Sequence, residues 1–412
     1  MEAVGVPVWQ VITLVTILSW LRFSSFTNLT LRARSILQPL VTQRVLKGTE
    51  TILHIQRSKN PFWDVVFAVA SSVVSVEFYT AFLPLLFWCG QTRLARQMTI
   101  LMAVCIYVGN CVKDVVSAPR PASPPVRRLT AIKCEEESAM EFGLPSSHTI
   151  NTICLSLYLF NYFMNHQQFP SDSRVWWLVL GIICLVIVLV AYGRLYLGMH
   201  TPIDVYAGIP IGLCLLMFWC CVDDHIDQFV TEGENVLPFW TSMSFLVLFA
   251  YPRPEYKTPS FEFHTAFNGV VLGVVYGSHR FYSYGQTTAL SISTLQDTLN
   301  LILRLAIGFP VVLAVKELSK ELAKQLLPWV CRAFFVPIYS SSYVPPLQEK
   351  AKNSDKKSSP RDEETRNLWL RLLPVIDEDH LDVDTGIRLL QYAALGWSVA
   401  ELAPSIFQYL GV

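Results

Sequence analysis

Three short polar islands in an otherwise apolar chain carry the residue types that handle phosphate. They are Lys113 to Pro121 (KDVVSAPRP), Pro145 to His148 (PSSH) and Arg194 to Asp204 (RLYLGMHTPID). A phosphate monoester carries a charge of about −1.5 to −2 near pH 7, so a site without a metal needs several cations and oriented N–H donors. Lys113, Arg120 and Arg194 supply three positive charges. Arginine offers a planar fork to two phosphate oxygens, whereas lysine acts as a point charge. Pro119 and Pro121 keep the chain around Arg120 out of helix and so restrict where its guanidinium can point. The PSSH island opens a helix, with Ser146 or Ser147 as the N-cap, and the free N–H groups and positive dipole end of that helix form an anion cradle.

Two histidines and an aspartate add reactivity to this cradle. A neutral His200 is able to attack phosphorus in line, and His148 is placed to protonate the leaving alkoxide. Asp204 bonded to one ring nitrogen of His200 would fix the tautomer and leave the other nitrogen's lone pair free. Each piece also has an ordinary structural explanation. Thr201-Pro202-Ile203-Asp204 reads as a capping box, Arg194 as a side chain snorkelling from a helix end, Ser146 as a simple cap and the histidines as interfacial residues. The ordered set of three spacings carries the functional reading, because no single residue does.

The spacings Lys-x6-Arg-Pro, Pro-Ser-x-His and Arg-x5-His-x3-Asp resemble the signature of the type 2 phosphatidic acid phosphatase superfamily. The runs RPASPP (Arg120 to Pro125), GLPSSH (Gly143 to His148) and Arg-x-Tyr-x-Gly-Met-His (Arg194 to His200) are most similar to its sphingosine-1-phosphate and long-chain-base-phosphate phosphatase branch. The resemblance covers roughly Phe62 to Cys221. It implies that Lys113, Arg120, Arg194, Ser146 and the amides near Ser147 bind phosphate, that His148 is acid and then base, and that His200 becomes phosphorylated with Asp204 supporting it. It implies no metal or other cofactor. Two positions depart from the pattern: Gly193 stands where the superfamily usually has Ser, which removes a phosphate hydrogen bond, and Ser147 stands where it usually has Gly, which crowds the cradle or adds a hydroxyl.

The elements that must position these islands are apolar runs near the 20 residues a helix needs to cross about 30 Å of hydrocarbon. Candidates are Val8 to Leu21, Phe62 to Gly90, Met98 to Val116, Thr149 to Met164, Trp176 to Leu197 and Pro202 to Cys221, followed by Leu237 to Tyr251, Phe263 to Tyr276, Leu299 to Val315, an interrupted run from Leu326 to Tyr343, and Ile387 to Leu410. The expected fold class is therefore all-α, a polytopic transmembrane helix bundle, since lipid forbids unpaired backbone and nothing reads as barrel alternation. If each run crosses once, all three islands lie on one side of the membrane. The expected organisation is an N-terminal apolar helix and basic connector over 1–61, a catalytic core over 62–221, and further transmembrane helices over 222–412 with a hydrophilic loop near 346–384.

Composition agrees with a bilayer solvent: 52% of residues are hydrophobic and 16% charged. Lys plus Arg and Asp plus Glu both total 32, so no net field attracts nucleic acid. The ten cysteines include no Cys-x-x-Cys pair, which argues against a zinc or disulfide framework. Asp223, Asp224, His225 and Asp227 form an acidic cluster, read as a solvated loop on the opposite face with divalent-cation binding as the alternative. Glu135, Glu136 and Glu137 would repel a substrate anion and belong at the rim, balancing Arg127 and Arg128. Asp64, Glu77 and Arg304 fall within apolar runs, where a charge faces the bundle interior or a wet cavity.

The expected activity is hydrolysis of a phosphorylated lipid in the bilayer, with sphingoid selectivity resting on the resemblance alone. A broader phosphatidate phosphatase, a lipid phosphotransferase and a non-enzymatic lipid-binding or transport protein remain as alternatives. No protein partner is identifiable. The resemblance implies endoplasmic reticulum with a lumen-facing site, whereas the basic stretch Arg22 to Lys59 would by the positive-inside rule make that side cytosolic; a second basic stretch, Lys350 to Arg366, leaves charge undecided.

Overall fold

The computed structural model describes residues 6–130, 139–165, 173–283, 295–333 and 383–412. Among the described residues the chain is helical, with no strand. The helices are α1 (Val8–Thr27), α2 (Leu29–Ile55), α3 (Pro61–Ser72), α4 (Val76–Trp88), α5 (Thr92–Val116), α6 (Ser147–Asn165), α7 (Ser173–Tyr196), α8 (Pro202–Glu232), α9 (Val236–Phe249), α10 (Ser260–Ser283), α11 (Leu295–Ala333), α12 (Val383–Trp397) and α13 (Ala403–Leu410), the last two joined by a π turn over Ser398–Leu402. Five of them are long and apolar enough to cross a membrane: Val8–Thr27, Thr92–Val116, Arg174–Tyr196, Pro202–Glu232 and Gln296–Cys331. The protein is an integral membrane helix bundle, as its apolar runs imply.

The spans differ in what surrounds them. In the most apolar stretch of α5, 61% of the residues are buried in protein, against 6% for α7, so α5 is the interior helix and α7 presents most of its surface outward. Met98, Leu101, Met102 and Cys105 of α5 pack with Ile150, Cys154 and Tyr158 of α6 and with Trp219 of α8 in the largest apolar core. The second core joins Phe87 and Trp88 of α4 to Val274 of α10 and to Leu395, Val399 and Phe407 near the C-terminus. There α10 and α12 touch backbone to backbone. An added Cβ on Gly273 would lie 1.9 Å from the carbonyl oxygen of Ala393, and one on Gly396 2.2 Å from that of Val270, the close approach that small residues permit between membrane helices.

Four expectations about elements are corrected. Phe62 to Gly90 is two helices, because Ser75 caps a new start by accepting a bond from the Phe78 N–H (3.2 Å). The basic connector before it is a 27-residue helix, α2, lying across the ends of the motif-bearing elements. Its Gly48 packs on Thr201 and Pro202, and Arg34 donates to the carbonyls of Asp114 and Val115. The acidic cluster is not a loop: α8 continues through Asp227 to Glu232. Leu299 to Val315 and the start of Leu326 to Tyr343 belong to one 39-residue helix, α11, the remainder of that run lying outside the described residues, as do Glu135, Glu136, Glu137 and the hydrophilic loop.

Candidate active site

Lys113 sits in the last turn of α5, which ends at Ser117 in the left-handed region (φ 50°) with the Ser117 N–H returned to the Lys113 carbonyl at 2.8 Å. The chain then leaves the helix, and Arg120 folds inward. Its Nε donates to the Glu141 carbonyl (2.9 Å) and its Nη1 to the Met199 carbonyl (2.6 Å), while Nη1 lies 3.2 Å from His200 Nε2. Arg194 occupies the last turn of α7 and is fully buried; its Nη1 donates to Ser71 Oγ of α3 at 3.2 Å. Beyond it the chain turns back so tightly that Met199 and His200 both donate their N–H groups to the Arg194 carbonyl. Gly198 makes that turn possible at φ 69°, where a Cβ would lie 2.4 Å from the Arg127 carbonyl oxygen.

Ser146 is the N-cap of α6. Its Oγ accepts from the Thr149 N–H (3.4 Å), its carbonyl accepts from Ile150, and its own N–H donates to the Asp204 carbonyl at 3.0 Å. The second and third islands are thus joined through backbone. Asp204 lies in the first turn of α8, where its Oδ2 accepts the Thr201 N–H at 2.7 Å and stands 3.5 Å from His200 Nδ1. The aspartate both caps a helix and faces the histidine, so the structural reading and the functional one hold together. Its carboxylate packs on the backbone at Gly143, where a Cβ would sit 3.2 Å from Oδ2.

The hydrogen-bond geometry assigns the tautomer of His200. A guanidinium has donors only, so the Nε2 facing Arg120 is the lone-pair nitrogen and the proton sits on Nδ1, which lies 3.5 Å from Asp204 Oδ2 without a hydrogen bond to it. Burial pushes the imidazole well below its ordinary range, helped by Arg120, Arg194 and Lys113, so the ring is neutral at physiological pH and its contact with Asp204 is not an ion pair. Burial also draws Arg120 down to about 10, against the opposing pull of Glu141, which still leaves it cationic. Several polar atoms here have no hydrogen-bond partner among the described residues: His200 Nδ1, Asp204 Oδ1, Ser147 Oγ and Thr149 Oγ1. Buried groups of this kind are costly to leave unsatisfied, and their concentration at one spot marks a place built for a polar ligand.

Lys113, Arg120, Ser146, Ser147, His148, Arg194, His200 and Asp204 therefore converge at one end of the bundle. The His148 ring is close enough to Arg194, Lys113 and Arg120 to feel their charge. Two residues depart in detail from expectation: the Ser146 hydroxyl serves its own helix, and Ser147 Oγ faces α5, 3.8 Å from where a Cβ of Gly109 would stand. Gly193 has a packing reason, since a Cβ would press on the Phe67 ring at 3.0 Å. Two residues escaped the sequence reading. Ser71 braces Arg194 from another helix and had no local signal. Glu141 is 7% exposed, bonds the Lys113 ammonium and lies 3.9 Å from Arg120 Nη2; its nearness to GLPSSH was the available clue. Asp64 pairs with Arg127 (2.8 Å) and accepts from Tyr196 (2.9 Å), and Arg128 donates to the Pro121 carbonyl. Arg304 is buried and donates to the Trp88 carbonyl. The side chain of Glu77 lies outside what the structure describes.

A bundle whose helix ends bring three basic side chains around a neutral, oriented histidine defines a class. Residues 94–227 match the PAP2 superfamily, and the chain belongs to it; it is a phosphatase, a phosphoric monoester hydrolase. Lipid phosphate phosphatase delta of Arabidopsis thaliana is 48% identical over 99% of this chain and 98% of its own. A dihydrosphingosine 1-phosphate phosphatase of Schizosaccharomyces pombe is 26% identical over 90% of each chain. Sphingosine-1-phosphate phosphatase 2 of Homo sapiens is 29% identical over 65% of this chain and 67% of its own. No solved structure matches.

Proposed function

We propose that this site hydrolyses long-chain sphingoid base 1-phosphates to the free base and inorganic phosphate through a phosphohistidine on His200. The observation that carries the reading is the Arg120–His200–Asp204 alignment, which presents the lone pair of a neutral imidazole beside a guanidinium. The names of the relatives support the lipid class. In the first step His200 Nε2 attacks phosphorus and the bond from phosphorus to the lipid oxygen breaks; His148, which burial and the three cations keep neutral in the free site, takes up a proton as the bound phosphate dianion offsets those cations, and gives it to the leaving alkoxide. In the second, His148 takes a proton from water, whose oxygen attacks the phosphohistidine; the P–N bond breaks, releasing phosphate and restoring His200. Lys113, Arg120 and Arg194 hold the phosphate oxygens and counter the charge of the transition state, with the N–H groups at the start of α6 completing the cradle. Asp204 holds the Nδ1 proton and stabilises the charge that the ring acquires.

Turnover of sphingosine, dihydrosphingosine and phytosphingosine 1-phosphates, measured with magnesium chelated and against phosphatidate and lysophosphatidate, tests the substrate class. Quenching during turnover of a phosphorus-labelled substrate should trap label on His200; absence of a trapped adduct together with faster turnover of phosphatidate would overturn the reading. The same proposal puts the protein in the endoplasmic reticulum with the site end facing the lumen. Glycosylation acceptors inserted near Arg57 and near Gly233, at opposite ends of the bundle, test it, since the lumenal acceptor alone should be modified.

A further inference from the structure

A carboxylate in the middle of a phosphate cradle needs an explanation. Glu141 bonds Lys113 and stands beside Arg120, two of the three cations that the proposed reaction requires. Its backbone carbonyl is fixed by Arg120 Nε at 2.9 Å, so the residue is held at the site rather than swept past it. A second buried carboxylate nearby, Asp114, points elsewhere: Tyr251 and Thr258 donate to it, on the side of α5 where Arg34 also anchors. Glu141 is therefore the carboxylate that an incoming phosphate would meet.

Charge counting shows what kind of substrate tolerates it. The buried charges facing the cradle are Lys113, Arg120 and Arg194 against Glu141 and Asp204, with His200 neutral, a net of one positive charge (3 − 2). A phosphate dianion with no other charge would leave this buried site negative, whereas a phosphate dianion carrying its own ammonium would neutralise it. Net charge left in a low-dielectric pocket is expensive, so the site as built favours a zwitterionic headgroup. Geometry agrees. Glu141 Oε2 bonds Lys113 and lies 3.9 Å from Arg120 Nη2, so a phosphate that drew Lys113 away would leave a carboxylate beside the headgroup, where an ammonium on the carbon next to the phosphorylated one could replace the lysine.

We infer that Glu141 is a specificity-determining residue that receives the 2-ammonium group of a phosphorylated amino alcohol, selecting such lipids over phosphates without an amine. This rests on the proposed reading of the site as one for sphingoid base phosphates. The exchange is a relay of partners: Lys113 passes from carboxylate to phosphate, and Glu141 passes from the lysine ammonium to the substrate's.

The test compares two substrates of identical chain, a sphingoid base 1-phosphate and its counterpart with the 2-amino group replaced by hydroxyl, in wild type, Glu141→Gln and Glu141→Asp. Wild type should prefer the amine in kcat/KM by roughly tenfold or more, as a charge-assisted contact warrants. Glu141→Gln should bring that ratio close to one, and Glu141→Asp should keep part of it. If Glu141→Gln lowers both substrates by the same factor, or leaves the ratio intact, Glu141 only positions Lys113 and Arg120 and the inference falls while the reading of the substrate stands. If wild type itself shows no preference for the amine, the sphingoid reading falls and takes the inference with it. That last comparison needs no variant, so the inference stays open to refutation even if the substitutions fail to fold.

Discussion

The two ends of α5 and α8 both carry dense clusters of charge, and they are built on opposite plans. At the end bearing Thr92 and Glu232, charges meet partners directly. Arg96 holds Asp227 through two bonds, Nε to Oδ1 at 2.8 Å and Nη2 to Oδ2 at 3.0 Å; Arg93 pairs with Asp224, and Asp223 accepts from Tyr158 at 2.7 Å. At the end bearing Lys113 and Asp204, three cations converge on a histidine and two carboxylates, and polar atoms of His200, Asp204 and Ser147 have no hydrogen-bond partner among the described residues. The first arrangement is a clasp that ties helices together, and the second is prepared for an anion. Charge density alone does not separate a structural cluster from a functional one, and neither do unpartnered buried polar atoms, since Gln97 and Trp219 carry them at the first end too; what differs is that the first end matches its buried charges in pairs across helices and the second gathers three cations around a neutral histidine.

Substitutions at the two ends should accordingly fail in different ways. The largest effect is expected for His200→Ala, which removes the attacking nitrogen and should lower kcat by about 10⁴-fold or more with an unchanged elution profile in detergent. Residual turnover within tenfold of wild type would remove His200 from the mechanism. Arg120→Ala comes next, with a loss of about 10²- to 10³-fold for one lost donor to the transition state and a change in pH dependence. Because burial, and after it the nearby cations, depress the His200 pKa, the acid limb of kcat/KM set by this ring in wild type lies below the ordinary imidazole value of 6.5. Losing the Arg120 charge should move that limb to higher pH, towards 6.5, while Arg120→Lys should hold it in place. The substrate's own titration is common to all the enzymes, so the difference between their profiles isolates the ring. A third substitution probes the clasp. Asp227→Asn leaves Arg96 buried against a neutral amide and should cost roughly 3 kcal/mol of stability, read as a lower unfolding midpoint in detergent. The folded enzyme should keep its kcat, since Lys113 lies about 25 Å along the same helix from Arg96.

The difference between the ends also explains what was legible in the sequence. Lys113, Arg120, His148, Arg194, His200 and Asp204 stand out because polar residues at the margins of apolar runs are few, and their spacing survives folding unchanged. Glu141 did not, because a carboxylate beside a phosphate site reads as repulsion until its lysine partner is visible. Helix α2 mixes Arg32, Arg34, Arg44 and Lys47 with apolar residues and contains Pro39, so no apolar run announced it, yet it lies over the site. The break between α3 and α4 has neither Gly nor Pro between Ser71 and Ser75; a serine cap makes it. The extension of α8 through its acids was hidden because charge at the end of an apolar run looks like the start of a loop, whereas Arg93, Arg96 and Tyr158 supply partners from other helices. The Gly273 and Gly396 contacts depend on segments more than a hundred residues apart in sequence, which no local pattern encodes.

The smallest expected effect gives the sharpest form of the comparison. Asp224 belongs to the same cluster as Asp227 and, like it, meets an arginine of α5 at close range, but its side chain is 69% exposed and that of Arg93 40%, against 10% and 11% for Asp227 and Arg96. Water already solvates the exposed pair, and holding two long side chains together offsets most of the Coulomb gain, so Asp224→Asn should change stability by less than about 1 kcal/mol. A rise in salt should weaken the Arg93–Asp224 contact and leave the buried pair nearly unaffected. A stability loss for Asp224→Asn equal to that for Asp227→Asn would mean that the cluster acts as one cooperative network. The clasp would then be held by its total charge rather than by one desolvated, two-bonded contact.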